Sequence, residues 1–307
     1  MNAVKRNSLL ATFAVGCALL AAILLFFLLA YGKLKIADDA QTKKDDDVAR
    51  VVVAVEPCAY LVERVGGDRV RVVALAPKGK SPEEYAPSPS QIAPLADSDL
   101  FFTVGMPIER RFVESAASLS KDMKIAPLQD LDDEDQTIDP HPWTSPALAR
   151  SMVAKIKDAL AELDPQNEPL FAANAAALDD ELQRLQREIA EKLAPFQGKF
   201  FLTCHPAYGQ FAKEFHLEQL AVERDGKAPK PRELEELIQR AKDANVKTAL
   251  LQPEFNRASA QALANQIGLK LVEHSPLEKD YFANLRALAD AVAESFDEDA
   301  ERVHDSE

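Results

Sequence analysis

One long amphipathic segment constrains this chain more than any other feature. After the break at Asp164-Pro165, Phe171, Leu178, Leu182, Leu185, Ile189 and Leu193 recur at spacings of three, four and seven. Such spacings place them on one face of a helix. A helix of 25 or more residues is about 40 Å long at about 1.5 Å per residue. That is long enough to run along two lobes and hold them at a fixed separation. The heptad is sustained for too few turns to specify a coiled coil.

The segments on either side alternate in the same way. Ahead of it, short β-branched or apolar runs at Arg50–Val55, Arg69–Leu75, Asp99–Val104 and Met123–Ala126 read as strands. Helical patterns lie between them at Pro57–Val65, from Ser88-Pro89 onward, and at Pro107–Leu119. Ser88 caps a helix whose first position is a proline. Ser145-Pro146 repeats that signature and opens a helix to Leu163. Behind the long segment, strands are expected at Lys199–Cys204, Glu218–Val222, Lys247–Gln252 and Leu269–Glu273. Helices are expected up to Phe215 and at Pro231–Ala244, Arg257–Ile267 and Asp280–Phe296. Alternation of this kind predicts parallel sheets covered by helices. The expected fold class is therefore α/β, with two lobes of mostly parallel sheet joined by one long rigid helix. The lobes span 50–145 and 197–297, with the helical region at 146–196 between them and an acidic tail at 298–307.

The N-terminus has a separate character. Lys5 and Arg6 precede an uninterrupted apolar run from Leu9 to Tyr31. A run of about 20 residues or more spans a bilayer and exceeds the usual core of a cleaved signal. Residues 1–35 read as a transmembrane signal anchor, with a cleaved export signal as the alternative, and 36–49 as a polar linker. The positive flank puts the bulk of the chain outside the cytoplasm, anchored to the membrane in the cell envelope. A formal net charge of -14 argues against a nucleic-acid partner, because phosphate binding needs a basic face. Outside the apolar run, Cys58 and Cys204 each follow an expected strand. They are either two buried thiols or, in an oxidising compartment, a disulfide; direct ligation by a Cys204 thiolate is a third alternative.

Only five histidines occur in the chain, so their positions carry information. His205 follows the expected strand Lys199–Cys204, and His141 stands just before a helix start. Open α/β sheets place ligands beyond the C-terminal ends of their strands. The polar residues gathered there are Glu83, Glu84 and His141 in the first lobe, and His205, Glu254 and His274 in the second. Either histidine alone could be a structural imidazole. Two at such joints, with carboxylates, suit zinc and also manganese. Nothing here has the paired-cysteine spacing of a structural zinc site or the helical histidine pair of a metalloprotease.

These residues carry a resemblance. Ser81-Pro82-Glu83-Glu84-Tyr85-Ala86-Pro87-Ser88-Pro89, Ala96-Asp97 through Gly105 with Glu109, Asp139-Pro140-His141-Pro142-Trp143, His205-Pro206-Ala207-Tyr208-Gly209 and Gln252-Pro253-Glu254-Phe255 occur in that order. Together they resemble the motifs of the zinc/manganese-binding solute-binding proteins of bacterial ABC importers, over about Arg50 to Phe296. The resemblance implies two α/β lobes on a long helix, with a metal ion in the cleft between them. It implies His141 and His205 as ligands, with Glu83 where the family has its first histidine. The family's last ligand is an aspartate before Pro-Leu or Ser-Leu. Ser275-Pro276-Leu277 has serine there, so His274, one residue earlier, is the expected substitute if the strand end is irregular. The family's histidine-rich loop is replaced by an acidic one, Asp130-Leu131-Asp132-Asp133-Glu134-Asp135.

The function this implies is extracytoplasmic capture of a divalent cation, Zn2+ first and Mn2+ second, for the permease of an ABC importer. The protein is expected to act as a monomer and not as an enzyme. Two other functions compete with this one. A relative that has lost its metal could serve as a partner-binding scaffold. A metal-dependent hydrolase could use Glu254 as base.

Overall fold

Two four-stranded sheets form, one in each half of the chain, and every pairing in them is parallel. The computed structural model describes residues 48–296, apart from 96, 117–122, 131–138, 224–229, 244–245, 256–260, 262–263 and 267. The expected membrane segment, most of the linker and of the acidic loop, most of the helix at Arg257–Ile267, and the acidic tail lie outside the described residues. Among the described residues, no helix is long and apolar enough to cross a membrane.

The first sheet contains β1 (Ala49–Val53), β2 (Val70–Ala74), β3 (Leu100–Thr103) and β4 (Lys124–Pro127), in the order β2-β1-β3-β4. The second contains β5 (Phe200–Thr203), β6 (Glu218–Ala221), β7 (Thr248–Leu251) and β8 (Lys270–Glu273), in the order β6-β5-β7-β8. The two orders are the same, so each lobe has a switch point between its first and third strands. Around the sheets run α1 (Glu56–Gly66), α2 (Pro89–Ile92), α3 (Pro107–Ala116), α4 (Pro146–Leu163), α5 (Glu168–Leu193), α6 (Gly209–Glu214), α7 (Pro231–Asp243) and α8 (Tyr281–Glu294).

The long segment is a helix, as its spacing predicts. Pro165 opens a single tight turn, Pro165–Asn167, and α5 starts only at Glu168. Pro169 sits in its first turn, where a missing N–H costs nothing. Phe171, Ala175, Leu178, Leu182, Leu185, Ile189 and Leu193 are all buried. They join one large core with α1, α4 and α8 that takes in residues of both halves. Burying each such side chain contributes roughly 1.5–3 kcal/mol. The second sheet divides its faces by the period of two expected of a strand. Phe201 and Leu250 face the large core, while Leu202 and Ala249 face a smaller one with Ile238, Ala241 and Leu269.

Two links tie the second lobe to the scaffold. Ser145 caps α4 by accepting from the Leu148 amide at 3.1 Å. Glu214 at the end of α6 accepts from the Ser145 hydroxyl and from the Ala147 amide, 3.2 Å away. A carboxylate there also complements the positive end of the helix. Elsewhere, Trp143 donates from Nε1 to the Pro276 carbonyl at 2.9 Å, and the Tyr281 hydroxyl donates to the Trp143 carbonyl at 2.7 Å. The segment before α4 is thereby fastened to the segment before α8.

Candidate metal centre

Three separate turns deliver side chains to one place. Glu83 lies in the loop after β2, in a turn where Tyr85 donates its amide to the Ser81 carbonyl at 2.9 Å. The Glu83 amide donates to the Ser81 hydroxyl at 3.3 Å. His141 follows Asp139, whose Oδ1 accepts from both the His141 amide (3.1 Å) and its Nδ1 (2.7 Å). An Asp that bonds the backbone two residues on is a local turn former. Here it also fixes the imidazole, leaving Nε2 to face the cleft. His205 follows β5 at the switch point between β5 and β7. Gln252, just beyond β7, accepts from the His205 amide at 3.1 Å and donates to its carbonyl at 2.7 Å. Phe255 stacks on the ring, with centroids 3.9 Å apart and planes 14° from parallel.

Glu83 Oε1 stands 3.0 Å from His205 Nε2 and 3.4 Å from His141 Nε2. The possible ligand atoms of the three residues all lie within 4.8 Å of one another. A tetrahedron with bonds of about 2.0–2.1 Å has edges of about 3.3 Å. The two carboxylate–imidazole separations are therefore edges of such a figure. His141 and His205 are only 4% and 2% exposed, so a cation held there is largely shielded from water.

The charges match this geometry. Burial works to raise Glu83, but the hydrogen bonds from His141 and His205 outweigh it and hold its carboxyl down at about 2. Burial works to lower His141, but the hydrogen bonds to Asp139 and Glu83 prevail and hold it up at about 9. Glu223 lies 3.7 Å from His205 Nδ1. Burial raises its carboxyl above the usual range, and the nearby His205 partly offsets this.

Among the described residues, His274 does not join the three. The strand end is regular: the His274 amide donates to the Leu251 carbonyl at 3.0 Å and continues the ladder beyond β8. The ring therefore turns away from the cleft. Its Nε2 donates to the Asn284 carbonyl at 3.0 Å, and its Nδ1 is 2.8 Å from the Tyr208 hydroxyl. Burial lowers its basicity. Ser275 points instead toward Glu254 and donates its hydroxyl to Oε1. Glu254 and Ser275 line a separate cavity of about 210 Å³ with Val55, Pro77, Lys78 and Leu277. Cys58 and Cys204 are both free and buried, and they pack in different apolar clusters.

Some contributors carry no composition signal. Asp139 and Gln252 stand inside quoted motifs, yet their roles emerge only from the contacts. Gly209 is required for a related reason. A Cβ there would come within 2.6 Å of Asp139 Oδ2, so the carboxylate that orients His141 rests directly on this glycine. Glu109 is another. It is buried after β3 and accepts from the amides of Val104, Gly105 and Met106 at 2.7–2.9 Å. It caps the loop at the first lobe's strand ends. Burial raises its carboxyl to about 7 against those three bonds.

Comparison with known proteins gives concordant matches. The family described as zinc-uptake complex component A, periplasmic (ZnuA) matches residues 51–295. The high-affinity zinc uptake system protein ZnuA of Paracoccus denitrificans is 29% identical over 226 residues, covering 60% of this chain and 69% of that protein. The manganese-binding lipoprotein MntA of Halalkalibacterium halodurans is 23% identical over 244 residues, covering 76% and 81% respectively. Among solved structures, a crystal structure of ZnuA superposes with a TM-score of 0.77 at 33% identity, covering 82% of this chain and all of that one.

Proposed function

Because the chain belongs to the periplasmic zinc-uptake component A family (ZnuA), we propose that it captures a divalent cation and delivers it to the permease of an ABC importer. The cation is held by Glu83, His141 and His205, with zinc as the first choice and manganese the second. The observation that carries this is the meeting of two buried imidazoles, from segments on either side of the long helix in sequence, on one carboxylate oxygen, at 3.0 and 3.4 Å.

Two nitrogens and one anionic oxygen are a donor set that zinc accepts readily. The Irving–Williams order favours zinc over manganese at any such site. A carboxylate in place of a third imidazole makes the site harder and extends its range toward manganese. The apolar run at 9–31 would anchor the protein beside its permease, as a monomer with its lobes outside the cytoplasm. Binding rather than turnover is supported by the position of Glu254. It faces a different cavity from the three donors, in a hydrogen bond with Ser275, where it is not available as a base beside a bound ion.

The test is metal uptake by the purified protein, read by mass spectrometry and by thermal stabilisation. A ligand at about 100 times its Kd adds about 2.7 kcal/mol of stability. The protein should show that stabilisation in zinc, and His141→Ala and His205→Ala should each abolish it. Unchanged stabilisation in either variant would sink the three-residue site. No uptake of zinc or manganese by the parent protein would support the scaffold reading instead.

A further inference from the structure

The two imidazoles that meet Glu83 each have a second ring nitrogen, and the two are treated differently. His141 Nδ1 donates to Asp139 at 2.7 Å. His205 Nδ1 is buried and has no hydrogen-bond partner. Glu223 Oε2 stands 3.7 Å from it, just beyond hydrogen-bonding range, in the segment that follows β6. The reason lies at the other side of the ring. His205 Nε2 donates to the Glu83 carboxylate at 3.0 Å. A neutral imidazole that donates from Nε2 carries a lone pair on Nδ1, and a carboxylate oxygen does not close on a lone pair. An imidazole that binds a cation through Nε2 has the opposite arrangement, with its proton on Nδ1 and a partner for it behind the ring.

We infer that Glu223 is the positioning residue for His205, as Asp139 is for His141. When a divalent cation takes Nε2, the proton there leaves and one is carried on Nδ1. That N–H donates to Glu223, and the gap of 3.7 Å closes to a hydrogen bond. That bond locks the ring in the orientation that ligation needs. Glu223 thus stands beside His205 without a hydrogen bond in the metal-free protein and forms one in the loaded protein. This rests on the cation-binding reading above.

The experiment uses the full chain, with zinc as the probe and a chromophoric chelator as competitor. Glu223→Ala should weaken zinc binding by about 10–100-fold, the usual cost of losing a carboxylate behind a ligating histidine. Glu223→Gln keeps an acceptor oxygen and should lose less. The melting temperature of the metal-free protein should be the same in all three, because Glu223 makes no bond to His205 there. In the zinc-loaded parent, long-range proton–nitrogen NMR should show His205 protonated at Nδ1, and in Glu223→Ala that proton should exchange rapidly with water. Zinc binding by Glu223→Ala as tight as the parent's would overturn the inference. So would a loss of affinity accompanied by an equal loss of metal-free stability, or a His205 metallated at Nδ1. If Glu223→Ala is normal while His205→Ala fails to bind, the cation site stands and only the role of Glu223 falls. A parent protein that takes up no zinc removes both.

Discussion

Two donors at the centre, Glu83 and His141, are held in charge states that burial alone would oppose. His141 is desolvated, which disfavours its cation, yet Asp139 and Glu83 hold it up at about 9 against an ordinary value of 6.5. The sign of the consequence follows from linkage. This group stabilises the metal-free fold in full below about pH 6.5, and that contribution is lost as the pH rises through about 9. The melting temperature of the metal-free protein should therefore fall between those values, and it should fall less in His141→Ala. A cation must displace the same proton, so zinc affinity should rise with pH up to about 9 and then level off. Titrating chelator competition from pH 6.5 to 10 reads this directly, and a profile flat across the range would contradict it. At this scale His141 and His205 are legible in the sequence because histidine is rare here and both stand at strand–helix joints. Asp139, Gln252 and Glu223 are ordinary polar residues by composition, and only their contacts give them roles.

The elements divide by how local their signals are. α5 is legible because its apolar period and the proline in its first turn, Pro169, are contained within its own residues. Leu182 is fully buried on its inner face. Leu182→Ala should cost about 2–5 kcal/mol in urea denaturation, while Glu191→Ala on the exposed side should change stability by no more than about 0.5 kcal/mol. The ends of the strands are harder to read. The alternation placed β8 correctly, but the fate of His274 depends on whether the ladder continues one residue past it. It does continue, through the bond to Leu251, and this turns the ring toward Tyr208 and Asn284. A one-residue difference at a strand end moves a side chain to the opposite face, and no window of local sequence encodes that register.

Across the whole molecule, the centre depends on spans that meet through the scaffold. Glu83 and His205 are 122 positions apart and touch. They are brought together within a scaffold in which α5 packs into a core shared by both halves and Trp143 and Tyr281 fasten the segment bearing His141 to the start of α8. Trp143 is 1% exposed, and its Nε1 supplies the bond to the Pro276 carbonyl. Trp143→Phe leaves that carbonyl without its donor and should lower stability by about 1–3 kcal/mol in chemical denaturation. Unchanged stability would mean that this fastening does not hold the two segments together.

Periodicity, capping residues and the scarcity of histidine are properties of short stretches. From them alone follow the two α/β halves, the long helix between them and the two imidazoles at strand–helix joints. Tertiary structure decided the rest. It set Glu83 as the carboxylate shared by both rings, turned His274 toward Tyr208 and Asn284, and placed a carboxylate behind each imidazole. Those outcomes turn on register and separation between residues far apart in the chain. Such distances are fixed by how sheets, turns and helices pack against one another, and local pattern carries no information about them.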